Sequence, residues 1–157
     1  MKSLGQVFRA IKQIHIINLE QRTDRRKMML SELSRLGLVG DSRVHFFPAI
    51  AMNTPGPFLK TGSHGAFLSH LEILNRCRNA DGPIMILQDD CSFSSKLRKN
   101  SIPENFDIFY GGYSAADRNN VETSDIVGAH CMAFSPRIIG PIADFLSAEY
   151  SKGHLEK

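Results

Sequence analysis

The chain has no tryptophan, only three cysteines in 157 residues, and no long apolar run. No stretch reaches the ~18 consecutive apolar residues of a membrane-spanning helix. Residues 1–13 carry Lys2, Arg9 and Lys12 without an apolar core or a small-residue cleavage site, which argues against a secretory leader. Cys77, Cys91 and Cys131 are odd in number, widely spaced and form no C-x-x-C pair. A zinc site is therefore disfavoured, and three small buried thiols in a reduced, cytoplasmic setting are the expectation. An excess of one charge is missing too. The net charge of +3 is too mild to direct the chain to nucleic acid, although Arg22, Arg25, Arg26 and Lys27 concentrate positive charge locally. No G-x-S-x-G is present, so a hydrolase nucleophile elbow is excluded.

What is present reads as one globular domain over residues 1–157, with 1–12 as an N-terminal extension and 151–157 as a frayed polar tail. A chain of this length is about one domain, and it can bury roughly 70% of its unfolded surface without a staple. Ile14 to Leu19 is a β-branched run, the pattern of a strand covered on both faces. Thr23 is placed to cap a helix whose apolar positions are Met29, Leu33 and Leu36, with Gly37 to end it. Val44 to Ile50 reads as a second strand, shortened or put at an edge by Pro48. Residues 51–62 read as a loop, followed by a helix capped by Ser63 with Phe67, His70, Leu71, Leu74 and Cys77 on one face. Ile84 to Leu87 is a third strand, Phe106 to Tyr110 a fourth and Val127 to Phe134 a fifth, with 113–126 as a mobile loop. Ser135-Pro136 opens a last helix, in which Pro141 predicts a kink. This order indicates an α/β domain with a mixed sheet flanked by helices.

Three clusters could carry chemistry. Gln88-Asp89-Asp90 follows a buried strand, where ligands of α/β sheets gather. Adjacent carboxylates repel, so they call for a cation or for solvent between them. A hard divalent ion shared with substrate phosphates fits; a solvated acidic turn is the plainer alternative. Asn18 to Arg26 spans a strand-to-helix junction. Arginine is unfavourable at a helix N-terminus, which points Arg22 and Arg25 to an anionic partner rather than a merely solvated turn. Gly62 to His70 puts Ser63, His64, Ser69 and His70 near a helix start, where they could line a cleft. His64 and His70 are six apart, off one helical face, so a shared metal is disfavoured. His70 is either a cleft residue or a satisfied core histidine. His130, on a late strand, either completes a metal site with Asp90 or is simply buried.

In order along the chain, these pieces resemble glycosyltransferase family 25, the lipopolysaccharide-biosynthesis group related to the collagen galactosyltransferases. The resemblance rests on Ile17-Asn18-Leu19 with Arg22 and Arg25, on Gly65-x-x-x-Ser69-His70, on Gln88-Asp89-Asp90, on Phe106 to Gly112, and on Gly128-Ala129-His130 with Ser135-Pro136-Arg137. It implies a GT-A-like, nucleotide-sugar-binding sandwich. It also implies inverting transfer of a hexose, galactose foremost, from a UDP-sugar to a hydroxyl of a cell-surface glycan such as lipooligosaccharide, with Mn²⁺ or Mg²⁺. On that resemblance Asn18, Arg22, Arg25, Ser69, His70, Gln88 and Asp89 bind the donor, Asp90 and His130 hold the metal, and Asp89 and His70 are the catalytic candidates. Gln88 departs from the Glu of the family's E-D-D. Family members also continue past the last of these motifs, so the chain reads as C-terminally short and its general base is unassigned. The competing reading is a non-catalytic nucleotide-sugar or glycan-binding module. A phosphohydrolase is disfavoured, because the first strand is not followed by D-x-D. Lys2, Arg9, Lys12, Lys96, Arg98 and Lys99 form either a peripheral contact with the inner face of a membrane or, more simply, a solvated face.

Overall fold

The structure, a computed structural model, describes residues 8–95, 97 and 102–153. In chain order it runs β1 (Gln13–Asn18), α1 (Thr23–Leu36), β2 (Val44–Pro48), α2 (Thr61–Arg76), β3 (Ile84–Gln88), β4 (Ile108–Tyr110), β5 (Ser114–Ala115), β6 (Ile126–Val127), β7 (Cys131–Phe134) and α3 (Pro136–Lys152). Five strands form one sheet in the order β2-β1-β3-β7-β4. β1 is parallel to β2 and β3, while β7 runs antiparallel to β3 and β4. The expected mixed sheet flanked by helices is therefore present.

The apolar runs are continuous because both faces of the sheet are covered. Alternate residues divide between two cores. Ile14 and Ile16 of β1, Met85 and Leu87 of β3, and Cys131 and Ala133 of β7 pack against Met29, Leu33 and Leu36 of α1. Ile17, Ile84, Ile86 and Phe134 face the other way, onto Leu71, Ile73 and Leu74 of α2 and Ile139 and Ala143 of α3. All three cysteines are free and buried within these cores, as expected of small hydrophobes. Phe8 and Ile11, in the segment read as an extension, belong to the first core, and Arg43 Nη1 donates to both of their carbonyls.

The sheet order has a functional consequence. From β1 the chain crosses by α1 to β2 on one side, then returns by α2, on the opposite face, to β3 on the other side of β1. The winding thus reverses between β1 and β3. A crevice opens at the carboxyl ends of strands at such a point.

Several expectations need correction. Arg22, not Thr23, takes the N-cap position of α1, because a turn closed by Arg22 N–H donating to the Leu19 carbonyl starts the helix one residue earlier. α2 begins at Thr61 after Lys60, so Ser63 lies within its first turn. Residues 113–126 are not wholly loop: β5 and β6 pair as a small antiparallel ribbon. The fifth predicted strand is consequently two pieces, β6 and β7, parted at Gly128, where a Cβ would lie 2.6 Å from the Gly112 carbonyl oxygen. Ser135 does take the N-cap position of α3, but its hydroxyl makes no capping bond, and the helix continues through Pro141. Gly37 ends α1 in the left-handed conformation, as expected. Of the tail read as frayed, Ser151 and Lys152 are the last residues of α3, and 154–157 lie outside the described residues.

Candidate functional site

β1 ends at Asn18 and β3 at Gln88, and their register pairs Ile17 with Gln88. The parallel strands therefore deliver Asn18 and Asp89 side by side at the winding reversal, both buried. Asn18 Nδ2 donates to Asp89 Oδ2 at 2.8 Å and to the Arg22 carbonyl at 3.3 Å. Because α1 starts immediately beyond β1, Arg25 on its first turn reaches over the same strand ends. Its Nη1 donates to Asp89 Oδ1 at 3.1 Å and to Asp90 Oδ2 at 3.2 Å. The repulsion expected between adjacent carboxylates is thus relieved by a shared guanidinium. The two acids are not equivalent: the Asp89 side chain is 9% exposed and that of Asp90 49%.

Arg22 is directed elsewhere. Its Nε and Nη2 form a fork on Asp24 at 2.9 and 2.8 Å. Those hydrogen bonds hold the Asp24 carboxyl well below the usual carboxylate range. Both arginines nevertheless line a cleft of ≈ 480 Å³ together with Ile17, Leu19, Gln88 and Asp89.

The opposite wall is the segment Ala49–Asn53 and the start of α2, at Thr61, Gly62, Gly65 and Ala66. A Cβ on Gly65 would lie 2.3 Å from the Ile50 carbonyl oxygen, so only glycine lets this segment lie against the helix. Ser69 fastens it there. Its hydroxyl donates to the Gly65 carbonyl at 2.7 Å and accepts from the Ile50 N–H at 2.9 Å. Ser69 is fully buried and shapes the wall without lining the cleft.

His70 ties α2 to the segment ahead of β7. Nδ1 lies 2.8 Å from the Ala66 carbonyl and Nε2 3.1 Å from that of Ala129. Burial pushes its pKa down, against the smaller opposing effect of those two carbonyls. Both ring nitrogens face backbone carbonyls, and the neutral ring donates its single N–H to one of them. His130 lies across from Gln88, whose N–H donates to the His130 carbonyl at 2.9 Å. Its ring packs on Gly112, where a Cβ would come within 2.7 Å of Nε2. A second cavity of ≈ 460 Å³, walled by Phe58, Phe67, Tyr110, Met132, Phe134 and Leu146 among others, shares Ala66 and Gln88 with the first.

No group of three or more His, Cys, Asp or Glu side chains among the described residues is gathered to hold a metal. The protein offers two carboxylates, one half exposed, already arranged about a single positive group. That donor set suits a hard divalent ion that takes its remaining ligands from phosphate oxygens and water.

The sequence reading missed the Ala49–Asn53 wall. His64, weighed with His70 as a cleft residue, is buried, with Nδ1 2.9 Å from the Thr54 carbonyl and Nε2 2.9 Å from the Tyr150 hydroxyl, and it pins the 51–60 segment to α3. The available signal was a glycine at 65, inside a helix, after a Pro- and Gly-rich segment.

Fold and cleft define the class: a three-layer α/β domain with an arginine-bearing cleft at its winding reversal. The chain belongs to glycosyltransferase family 25. The profile of that family, described as "Glycosyltransferase family 25 (LPS biosynthesis protein)", matches residues 11–118. The match contains Asn18 through Asp90 and leaves His130 and α3 outside. The chain is also similar to a "Glycosyltransferase 25 family member" of Anopheles gambiae, 32% identical over 114 residues, which cover 59% of this chain and 19% of that relative. The chain thus spans about a fifth of the length of the curated relative it matches.

Proposed function

We propose that this chain is a GT-A-like glycosyltransferase domain that binds a UDP-sugar and transfers its hexose, galactose foremost, with inversion to a hydroxyl of a cell-surface glycan such as lipooligosaccharide. The observation that carries the reading is the Asn18–Asp89–Arg25–Asp90 network set at the winding reversal, within the residues matched by the family profile. In this reading Ile17, Leu19 and the Ala49–Asn53 wall receive the nucleoside. Gln88 hydrogen-bonds the ribose, and Arg22 and Arg25 meet the diphosphate. Asp90, backed by Asp89, would hold Mn²⁺ or Mg²⁺; His130, expected as a second ligand, is not gathered with the two acids among the described residues. The ion, when bound, neutralises charge that builds on the departing diphosphate. The base that takes the acceptor proton is unassigned; Asp89, whose two carboxylate oxygens accept from Asn18 and Arg25, and the buried His70 are the catalytic candidates.

The second reading is a binding module that does not transfer sugar. Gln88 favours it, since a neutral amide stands where the family motif carries a carboxylate. Calorimetry separates the possibilities. UDP titrated with Mn²⁺ should bind, binding should weaken about tenfold or more in EDTA or in Asp90→Ala, and a UDP-hexose should then release sugar slowly without acceptor. Binding without release would leave the module reading. No binding in either condition would sink the donor-site reading and leave only a module that binds glycan.

No helix among the described residues is long and apolar enough to cross a membrane. Lys2, Lys96, Arg98 and Lys99, named for a peripheral membrane contact, lie outside the described residues.

A further inference from the structure

We propose that Arg25 is a displaceable internal counter-cation: it holds the Asp89–Asp90 pair together until a divalent cation takes those oxygens, and then turns to the donor diphosphate. The inference rests on the donor-site reading above and assigns Arg25 two successive partners.

The geometry of the two arginines supports it. Arg22 grips Asp24 as a two-nitrogen fork at 2.9 and 2.8 Å. Arg25 instead spreads one nitrogen over two carboxylates at 3.1 and 3.2 Å. Charge-assisted bonds of full strength run near 2.7–2.9 Å, so the Arg25 contacts lie at the weak end of the range. The guanidinium is also accessible: the side chain is 36% exposed and lines the cleft. Loss of Arg25 would not leave Asp89 adrift, because Asn18 donates to its other oxygen at 2.8 Å. Arg25 Nη1 occupies Asp89 Oδ1 and Asp90 Oδ2, the oxygens through which one ion would bridge the pair, and a divalent cation brought there repels the guanidinium. A bridging metal and Arg25 therefore compete for those two oxygens. Once displaced, Arg25 is left in a cleft that it shares with the proposed diphosphate, the preferred partner of an unpaired guanidinium.

The test uses the whole chain and reads binding, not turnover. Mn²⁺ alone is titrated by calorimetry or by the electron paramagnetic resonance of the free ion. Arg25→Gln should bind Mn²⁺ several-fold more tightly than the wild type, yet bind UDP about tenfold more weakly at saturating Mn²⁺, the loss expected for one charge-assisted contact. Arg25→Lys, which keeps the charge without the planar head, should fall between the two and serves if Arg25→Gln does not fold. Unchanged or weaker Mn²⁺ binding by a folded Arg25 variant, or no Mn²⁺ binding by either protein, would overturn the proposal and make Arg25 a fixed support. Failure of the wild type to bind UDP, with or without Mn²⁺, would instead overturn the donor-site reading itself.

Discussion

Two cavities of nearly equal size, ≈ 480 and ≈ 460 Å³, meet at Ala66 and Gln88 and share one helix wall, yet differ in chemistry. The first lies beyond the carboxyl ends of β1 and β3, where the parallel strands stop and their last residues are polar. The second lies over the sheet face at β7 and β4, where Ile108, Met132 and Phe134 point outward under α2 and α3. The difference teaches that polarity here follows position relative to the strands. Residues at a strand end need not alternate into a core, so Asn18, Gln88, Asp89 and Asp90 can be polar. Residues along the face are claimed by packing.

The wall common to both cavities is the place where a single atom should matter most. Gly65→Ala puts a methyl 2.3 Å from a backbone oxygen. We expect a loss of about 1–3 kcal/mol of stability for such overpacking, with UDP affinity falling along with the displaced Ile50 segment. Gly62→Ala, whose Cβ meets open space in the same helix turn, should instead be neutral or stabilising by up to ~1 kcal/mol. Thermal melts and UDP titrations of the pair check this. Equal behaviour would break the idea that α2 shapes the polar cleft by backbone contact.

A second, smaller contrast separates the paired acids. Asp89→Asn leaves a buried amide facing the Asn18 and Arg25 donors and should cost about 1–3 kcal/mol. Asp90→Asn, half exposed, should stay within about 0.5 kcal/mol while still weakening Mn²⁺. Urea unfolding of both variants measures the difference, and similar losses would mean that Asp90 is as structural as Asp89.

The last effect is on pH. Burial, aided by His45 and Arg76, lowers the pKa of His15 from 6.5 to about 4, and burial lowers that of His70 as well. Below pH 6.5 the unfolded chain takes up protons that the folded chain refuses, so stability should fall as pH drops from 6.5 towards 4. His15→Gln should flatten the dependence of the melting temperature on pH over that window. An unchanged slope would assign it to His70 or to the carboxylates.

Much of the first half of this molecule was legible before any coordinates. The β-branched run at 14–19, the helix from Thr23 to Leu36 with its terminating glycine, and the apolar strand feeding Gln88-Asp89-Asp90 all have local signals with a physical cause. The reading faded from residue 106 onward. β5 and β6 are two residues each, too short for alternation to show, and the Gly128 break depends on a contact with Gly112 sixteen residues earlier. In the site itself, Asn18, Arg22, Arg25, Gln88 and Asp89 were named from sequence and do line or border one cleft. Ser69 and His70, named for the same role, hydrogen-bond backbone; Ser69 lies behind the cleft wall and His70 lines the adjoining second cavity.

The sequence by itself determined the elements, the two-sided burial of the strands and the stock of charged residues at their ends, because propensity, periodicity and capping act over a few residues. Only the tertiary structure decided that Arg25, and not Arg22, meets the acids sixty-four and sixty-five positions away. That choice depends on strand order. β3 lies beside β1 because the chain reverses its winding there, and the reversal places the first turn of α1 above the end of β3.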